Sequence, residues 1–253
     1  MRIAAIYDIH GNLPALEAVV TEVRDLHVDR MIVGGDVLPG PMPRETLEFL
    51  AGLDIPTQFI LGNGEVAVLE AMAGKEPAQV PGQYRPIIHW TAQQLSREHE
   101  RIVSTWPKTL SIRAADIGEV LFCHATPRDE NEIFTRMTPE EQLAPVFADI
   151  EAPLAVCGHT HMQSDRMIGR TRVVNAGSVG MPFGEPGAYW LMVGPGVQLR
   201  RTAYNLERAA HRIRRTSYPG AAEFAANNVL RPPSESQMLE VFSGTAPKRA
   251  GGS

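Results

Sequence analysis

The sequence contains few cysteines and no long apolar run. Cys123 and Cys157 are the two cysteines in 253 residues, and each ends a short apolar stretch. Two thiols do not make a disulfide framework, so we expect a reduced, cytoplasmic protein. The apolar residues before Asp8 are too few for a signal-peptide core, and no run of about 18 apolar residues is present. These features predict a soluble protein with no export signal and no membrane partner.

The sequence also lacks an excess of positive charge. Its 24 Lys and Arg residues are outnumbered by 29 Asp and Glu residues, which gives a formal net charge of -5. There is no basic stripe of the kind that neutralises a nucleic-acid backbone, so stable nucleic-acid binding is not expected. By contrast, 43% of the residues are hydrophobic, which is enough to bury a full core. We expect one domain that spans residues 1–253.

Short β-like runs alternate with helical patterns over the first 75 residues. This rhythm is typical of βαβ units and predicts a parallel sheet. In the first helical pattern, apolar residues recur at steps of three and four, Asn12 can cap the helix and Pro14 lies in its first turn. The predicted elements are a strand from Ile3 to Tyr7, a helix from Leu13 to His27, a strand from Arg30 to Val33, a helix from Pro43 to Leu53 and a strand from Thr57 to Leu61.

Residues 75–110 interrupt this alternation. Pro77, Pro81 and Gly82 break the chain, and a single helical pattern follows from Pro86 to Thr105. We interpret the segment as a cap-like insertion.

The pattern after residue 110 is first alternating and then rich in strands. Thr138, Pro139 and Glu141 suggest a capping box at a helix start. From Met162 onward, Gly and Pro turns between short strands predict a β-meander in a second sheet. Residues 205–245 are expected to form a C-terminal helical extension, followed by a disordered tail from Lys248 to Ser253. The predicted elements are strands from Glu119 to Cys123 and Pro153 to Cys157, a helix from Thr138 to Ala148, and strands from Arg166 to Ile168, Arg172 to Val174, Tyr189 to Val193 and Val197 to Ala203.

Polar side chains follow five of the predicted strands, at the point where each strand ends. Because the carboxyl ends of parallel strands meet at one rim of a sheet, five separate segments are expected to converge. His159 and His161 are two residues apart in an extended segment, which directs both imidazoles to the same side. The converging donors are Asp8, His10, Asp36, Asn63, His124, His159 and His161.

Oxygen and nitrogen donors of this kind suit divalent manganese, iron, zinc, nickel or cobalt, of which we favour manganese. Seven donors exceed the needs of one tetrahedral site. Two ions that share a bridging carboxylate account for them, and ions roughly 3.5 to 4 Å apart can clamp the attacking and departing oxygens of a phosphoryl group. The sequence therefore predicts a two-metal centre that hydrolyses a phosphoester.

The ordered motifs of the sequence resemble the signature of calcineurin-like metallophosphoesterases. The resemblance covers residues 8–161, and five motifs in the right order are far more specific than any single one. The motifs are Asp8-Ile9-His10, Gly35-Asp36, Gly62-Asn63, Cys123-His124 and Gly158-His159-Thr160-His161.

This resemblance implies both a fold and a set of roles. The fold would be a four-layer α/β/β/α sandwich, in which two mixed sheets are flanked by helices. A hydroxide that bridges the metals would attack phosphorus, with Asp36, Asn63 and His124 as the catalytic residues. By the same resemblance, Asp8, His10 and His161 would hold one ion, Asn63, His124 and His159 the other, and Asp36 both.

Two positions depart from the family pattern. Gly64 stands where many members have a His that contacts the phosphate, and Pro39 stands where a second Asp is often found. In these respects the sequence resembles the small bacterial and archaeal phosphodiesterases rather than the protein phosphatases. Without that His, a general acid is missing, which costs about 10²–10⁴-fold on a poor leaving group and least on activated diesters.

Four further residues are candidates for contact with the substrate. Arg128 follows His124 closely and can pair with a phosphate through two hydrogen bonds. His89 lies in the insertion, although a His on a surface helix is usually solvated. Asn175 and Ser178 lie in a Gly-rich loop that is expected to line the pocket.

The function that we expect is hydrolysis of a small phosphodiester. One alternative is a nucleotide or dinucleotide polyphosphate hydrolase in which residues 75–110 grip a base. Another is a metal-stabilised scaffold that binds protein partners. A symmetric homodimer is the expected assembly if the chain associates.

Overall fold

The computed structural model describes residues 1–243, and within them two five-stranded sheets pack face to face. In the first sheet, β1, β2 and β3 run parallel, and β9 and β10 extend it on the other side of β1 as antiparallel strands. The strands of this sheet are β1 (Ile3–Ile6), β2 (Arg30–Val33), β3 (Thr57–Phe59), β9 (Ala188–Val193) and β10 (Val197–Thr202), in the order β10-β9-β1-β2-β3.

The second sheet has a parallel centre and two antiparallel edges. Its three middle strands β5, β6 and β8 run parallel, and β4 and β7 close the edges. The strands are β4 (Thr109–Ala114), β5 (Gly118–Cys123), β6 (Leu154–Cys157), β7 (Ser164–Ile168) and β8 (Thr171–Asn175), in the order β4-β5-β6-β8-β7.

Helices cover the outer face of each sheet. Helices α1, α2, α3, α4, α7 and α8 pack on the first sheet, and α6 packs on the second. Asn12 caps the first helix by accepting a hydrogen bond from the N–H of Ala15, as the sequence predicted. The helices are α1 (Leu13–Asp25), α2 (Pro43–Ala51), α3 (Asn63–Met72), α4 (Arg85–Gln94), α5 (Arg97–Val103), α6 (Glu140–Phe147), α7 (Leu206–Arg214), α8 (Ala221–Phe224) and α9 (Glu235–Ser243), with a 3₁₀ turn at Gly82–Tyr84 and a π-helical segment at Ala225–Leu230.

Strand β1 shows why the molecule has four layers. Successive side chains of a strand point to opposite faces of the sheet. Ile3 and Ala5 enter the core between the two sheets, whereas Ala4 and Ile6 enter the core between the first sheet and its helices. Both faces of this strand are therefore buried, as expected for the centre of an α/β/β/α sandwich. The predicted fold class is confirmed.

Three details of the sequence prediction are wrong. The helical pattern from Pro86 to Thr105 forms two helices, because Leu95 adopts an extended backbone and Ser96 caps α5. The predicted capping box at Thr138 is absent from the described helix α6. Its hydroxyl instead accepts a hydrogen bond from the N–H of Thr135. The strands after Met162 do not form one sheet, since β7 and β8 join the second sheet and β9 and β10 the first.

The sequence analysis also missed helix α3 and strand β4. The start of α3 reads as a turn because Gly62 and Gly64 flank Asn63, and β4 is a partly exposed edge strand with polar residues. Among residues 1–243, no helix has both the length and the apolar character needed to cross a membrane. The predicted tail from Lys248 to Ser253 lies outside the described residues.

Candidate metal centre

The seven predicted donor residues follow the carboxyl ends of strands from both sheets, and their side chains come together at one site. Asp8 and His10 follow β1, and Asp36 follows β2. Asn63 is the first residue of α3. From the second sheet, His124 comes directly after β5, and His159 and His161 follow β6. The convergence that the strand pattern predicts is therefore present.

Several residues of these loops have a left-handed backbone conformation, which residues other than glycine rarely adopt. Six non-glycine residues in the described part of the chain have a positive φ between 47° and 66°. A non-glycine residue in this region costs on the order of 1 kcal/mol or more, and such residues cluster at functional sites. Five of the six are predicted donors, namely Asp8, His10, Asp36, His159 and His161.

One group of donors comes from the loops after β1 and β6. The donor atoms of Asp8, His10 and His161 lie within 4.8 Å of one another, and all three residues are buried. Within this group, His161 Nε2 lies 3.4 Å from Asp8 Oδ1 and 3.3 Å from His10 Nε2. Three donors at these separations can surround one small cation.

A second group comes from both sheets. The donor atoms of Asp36, His124 and His159 also lie within 4.8 Å of one another. Asn63 belongs to the same group, because its Oδ1 lies 3.0 Å from His124 Nε2.

The carboxylate of Asp36 stands between the two groups. Its Oδ2 lies 3.6 Å from His10 Nε2 in the first group, and its Oδ1 lies 3.5 Å from His124 Nε2 in the second. Because each oxygen faces a different group, the carboxylate is positioned to serve both.

Backbone carbonyls fix three of the imidazole rings. A carbonyl can only accept a hydrogen bond, so Nδ1 of each ring carries the proton and Nε2 presents its lone pair to the centre. The contacts are His10 Nδ1 to Pro39 O at 3.3 Å, His124 Nδ1 to Gly34 O at 2.9 Å and His161 Nδ1 to Met181 O at 2.7 Å.

This donor set fits a bound cation. When both rings are neutral, the Nε2 lone pairs of His10 and His161 face each other at 3.3 Å and repel one another. A cation between them would remove this repulsion. Within residues 1–243, Asp8 Oδ1 and His159 Nε2 are buried without a hydrogen-bond partner. Such atoms are costly unless something compensates them, and a metal ion would do so.

The electrostatics of the centre agree with this fit. Burial opposes the charge of Asp8, but the surrounding imidazoles, His161 first, outweigh it and hold the pKa of this carboxyl below its usual range. Burial and the neighbouring His124 lower the pKa of His159 to about 4. At neutral pH, Asp8 is therefore charged and His159 is neutral, which are the states that bind a metal.

A family model for the calcineurin-like phosphoesterase superfamily domain matches residues 1–193. The chain belongs to this superfamily. Membership confirms the resemblance of the motifs and implies a hydrolase that acts on phosphoesters.

Individual proteins are similar to this calcineurin-like phosphoesterase in sequence or in fold. An uncharacterized protein of Methanocaldococcus jannaschii is 27% identical over 197 residues, which are 71% of this chain and 76% of the relative. The crystal structure of a metallophosphoesterase from Sphaerobacter thermophilus is 25% identical, with a TM-score of 0.69 over 90% of this chain and 99% of that one. A hypothetical protein from Pyrococcus horikoshii shares the fold at 19% identity, with a TM-score of 0.74 over 88% and 97% of the two chains.

Glu65 is a buried residue of the phosphoesterase centre that the sequence analysis missed. Its two carboxylate oxygens accept hydrogen bonds from the backbone N–H groups of Asp36 (2.8 Å), Leu38 (2.9 Å) and Gly62 (2.8 Å). Burial and the nearby charge of Asp36 raise its pKa to about 7. Glu65 thereby ties the loop of Asp36 to the start of α3. The spacing from Gly62 to Glu65 matches a helix capping pattern, which is the signal that was available.

Gly64 is required by the packing around it. Its N–H donates to Asp36 Oδ1 at 2.7 Å. A Cβ atom at this position would lie 2.0 Å from the carbonyl oxygen of Leu38, far inside contact distance. Gly64, which stands where the family often has a His, therefore allows the backbone at Leu38 to come close. Any side chain at position 64 would force this backbone to move.

Two of the predicted substrate residues have other partners. Arg128 forms a two-pronged ion pair with Glu132, in which its Nε lies 2.9 Å from the carboxylate, and the arginine side chain is 54% exposed. His89 Nε2 lies 3.4 Å from the Glu76 carboxylate, and both side chains are exposed. Helix α4 instead turns the neighbouring Ile88 toward the cavity beside the centre.

The other two, Asn175 and Ser178, are buried supports of the ligand loops and do not line the pocket. Asn175 Nδ2 donates to Gly158 O at 2.6 Å and Thr160 Oγ1 at 3.1 Å. The Ser178 hydroxyl donates to Asp8 O at 2.7 Å. Both side chains therefore hold the backbone of the loops that carry the candidate metal ligands. Phe183, which the sequence analysis missed, stacks on the His161 ring with centroids 5.3 Å apart.

Proposed function

We propose that this protein is a metal-dependent phosphoesterase that binds two divalent ions and hydrolyses small phosphodiesters. The observation that carries the proposal is the carboxylate of Asp36, which lies between two buried groups of donors and faces each with one oxygen. A scaffold that only binds protein partners does not require this arrangement. The orphaned atoms Asp8 Oδ1 and His159 Nε2 support the same proposal.

In this proposal, Asp8, His10 and His161 would hold one ion, Asn63, His124 and His159 would hold the other, and Asp36 would serve both. The nitrogen and oxygen donors suit manganese, iron, zinc, nickel or cobalt, with manganese favoured. Bound ions of this kind lower the pKa of water and stabilise the charge of a phosphoryl group during displacement.

The residues of the chain prepare the centre for that chemistry. The carbonyls of Gly34, Pro39 and Met181 hold three imidazoles in the tautomer that offers Nε2. The N–H of Gly64 and the carboxylate of Glu65 hold the side chain and backbone of Asp36. Orientation of this kind means that little rearrangement is needed when the substrate reacts.

Position 64 supplies no side chain to protonate a leaving group. Loss of such a group costs about 10²–10⁴-fold on poor leaving groups and little on good ones. We therefore expect aryl esters to be hydrolysed readily.

The test is a paired assay on metal-stripped protein. Bis-p-nitrophenyl phosphate and p-nitrophenyl phosphate are supplied with manganese, nickel, cobalt or zinc in turn. We expect turnover that depends on the metal and is faster for the diester. His159→Ala should abolish it, whereas the matched control His211→Ala, on the exposed face of α7, should retain it. Failure to hydrolyse either ester with any of these metals would refute the proposal.

A further inference from the structure

A cavity of about 290 Å³ opens directly beside the candidate metal centre. His10, Asp36 and Asn63 are among the residues that line it. Another part of its wall is built from α3 and from residues 79–88, which belong to the segment that the sequence predicted as a cap-like insertion. A substrate whose phosphoryl group reaches Asp36 therefore places one of its ester arms against this wall.

The wall is mostly apolar. Val66 and Ala67 contribute from α3, and Val80 and Ile88 contribute from the facing segment. The ring of Tyr84 stands at the rim with 53% of its surface exposed, where a flat group can stack on it. Small-molecule sites combine apolar walls of this kind with a few polar groups that fix orientation.

The charge of the cavity is negative rather than positive. No lysine or arginine is among the described residues that line it, whereas the acidic residues Asp36 and Glu70 are. In the described structure, no hydrogen bond or ion pair satisfies the carboxylate of Glu70 within the protein.

Cations near the centre are already paired with carboxylates of the chain. Arg85 contacts Glu76 and the carbonyl oxygen of Val80. On the other side of the centre, Lys108 lies 2.9 Å from Glu130, and Arg128 is paired with Glu132.

We propose that the cavity binds an ester arm that carries no negative charge of its own, as in the phosphodiester of a nucleoside or an aryl alcohol. The inference rests on the proposed function and narrows its substrate class. Ions held by Asp36 and its neighbouring donors would balance the single negative charge of the diester, and the apolar wall would receive the arm. A second phosphate on that arm would meet Glu70 with no cation to balance it, which opposes polyphosphate substrates.

The volume of the cavity is suited to one ester arm of a phosphodiester. Sites for drug-sized ligands span about 300–1,000 Å³, and the volume of this cavity, about 290 Å³, lies just below that range. It suits one nucleoside or aryl group rather than the two nucleosides of a dinucleotide polyphosphate.

The test compares two substrates that differ by one phosphate. Thymidine 5′-(p-nitrophenyl phosphate) carries a neutral sugar, and the same compound phosphorylated at its 3′-hydroxyl carries an anionic one. Both release p-nitrophenolate from the same diester. For the wild-type protein loaded with manganese, we expect kcat/KM to favour the first compound by at least about tenfold, as for like charges brought together. Equal rates, or preference for the second compound, would overturn the inference.

Substitutions of Glu70 test whether its negative charge causes the preference for the neutral sugar. Glu70→Gln should reduce the preference, and Glu70→Lys should remove or reverse it. Glu207→Lys, an equal change of charge on α7 away from the cavity, should leave it as in the wild type. A preference that is the same in all three variants would overturn the role of Glu70. By contrast, metal-independent or absent turnover of both compounds by the wild type would be a failure of the proposed function itself.

Discussion

Asp36 is the residue on which the proposed chemistry depends most. Its carboxylate faces His10 and His124 with different oxygens and also accepts the N–H of Gly64. Asp36→Asn keeps the size of the side chain and one acceptor oxygen but removes the charge that both ions would share. We expect kcat/KM on the diester to fall by at least about a hundredfold, with the thermal unfolding midpoint of the metal-free protein little changed. Retention of most activity would show that Asp36 does not contact both ions.

Glu65 is expected to matter for stability as well as for activity. The carboxylate accepts three backbone hydrogen bonds, whereas the amide of Gln offers one acceptor oxygen and turns an N–H₂ toward a donor. Glu65→Gln should therefore lower the free energy of unfolding by about 1–3 kcal/mol. Denaturant unfolding of the metal-free protein measures this change, with Glu207→Gln on the exposed side of α7 as the control. Equal stability of Glu65→Gln and wild type would mean that these contacts contribute nothing.

At the scale of single residues, the sequence predicts the candidate metal donors that the structure brings together, but not the buried residues that hold them in place. Asp8 and His161 can be predicted because each follows a strand in a recognisable order. Glu65 reaches Asp36 and Leu38 across 29 and 27 residues of chain, and no local pattern encodes those contacts. Asn175 and Ser178 support the ligand loops through hydrogen bonds to Gly158 and Asp8, which are also distant in sequence and which no local pattern encodes.

Among the elements, the start of helix α3 is the most sensitive to change. Replacing Gly by Ala within a helix usually stabilises it by about 0.5–1 kcal/mol. At Gly64, however, the new Cβ would lie 2.0 Å from Leu38 O and 2.9 Å from Asp36 Oδ1. Gly64→Ala should therefore destabilise the fold by about 1–3 kcal/mol and reduce metal affinity, because overpacking must displace Asn63 or Asp36.

The matched control is Gly82→Ala, since a Cβ at position 82 would meet no atom within 4 Å. Thermal unfolding and metal titration of both variants compare the two sites. If Gly64→Ala behaves like Gly82→Ala, the close approach at the helix start does not constrain the centre.

Strands β9 and β10 show that a residue pattern can predict a strand without predicting the sheet that it joins. Alternation of residues predicts β9 and β10, but it does not state which sheet they join. Trp190 faces the helices and Leu191 faces the other sheet, so β9 has two apolar faces and fits beside β1 in the middle of a sheet. β9 pairs with β1 because this position buries both of its faces. The pairing depends on the packing of the whole core and cannot be predicted from the strand alone.

For the whole molecule, metal affinity should depend on pH. Burial alone would lower the pKa values of His124 and His161, but Asp36 acts most strongly on the first and Asp8 on the second, and both pKa values are raised above their usual range. In the metal-free protein these imidazoles therefore keep a second proton to higher pH than an ordinary histidine does, and a metal must displace that proton. Affinity should rise with increasing pH through the neutral range and fall on acidification. His159, with its pKa lowered to about 4, should compete only in more acidic solution.

Competition with a chelator of known affinity at several pH values measures this dependence. A dissociation constant for manganese that is constant between slightly acidic and slightly alkaline solution would contradict the proposed histidine ligands.

The number of ions that the chain holds is tested most directly by a metal titration of the metal-stripped protein. Calorimetry with manganese, checked by elemental analysis after dialysis, gives the stoichiometry without reference to any substrate. Because two groups of donors share Asp36, we expect two ions per chain in the wild type and weaker binding of both in Asp36→Asn. A stoichiometry of one ion or none, with manganese and with zinc, would contradict a two-metal centre.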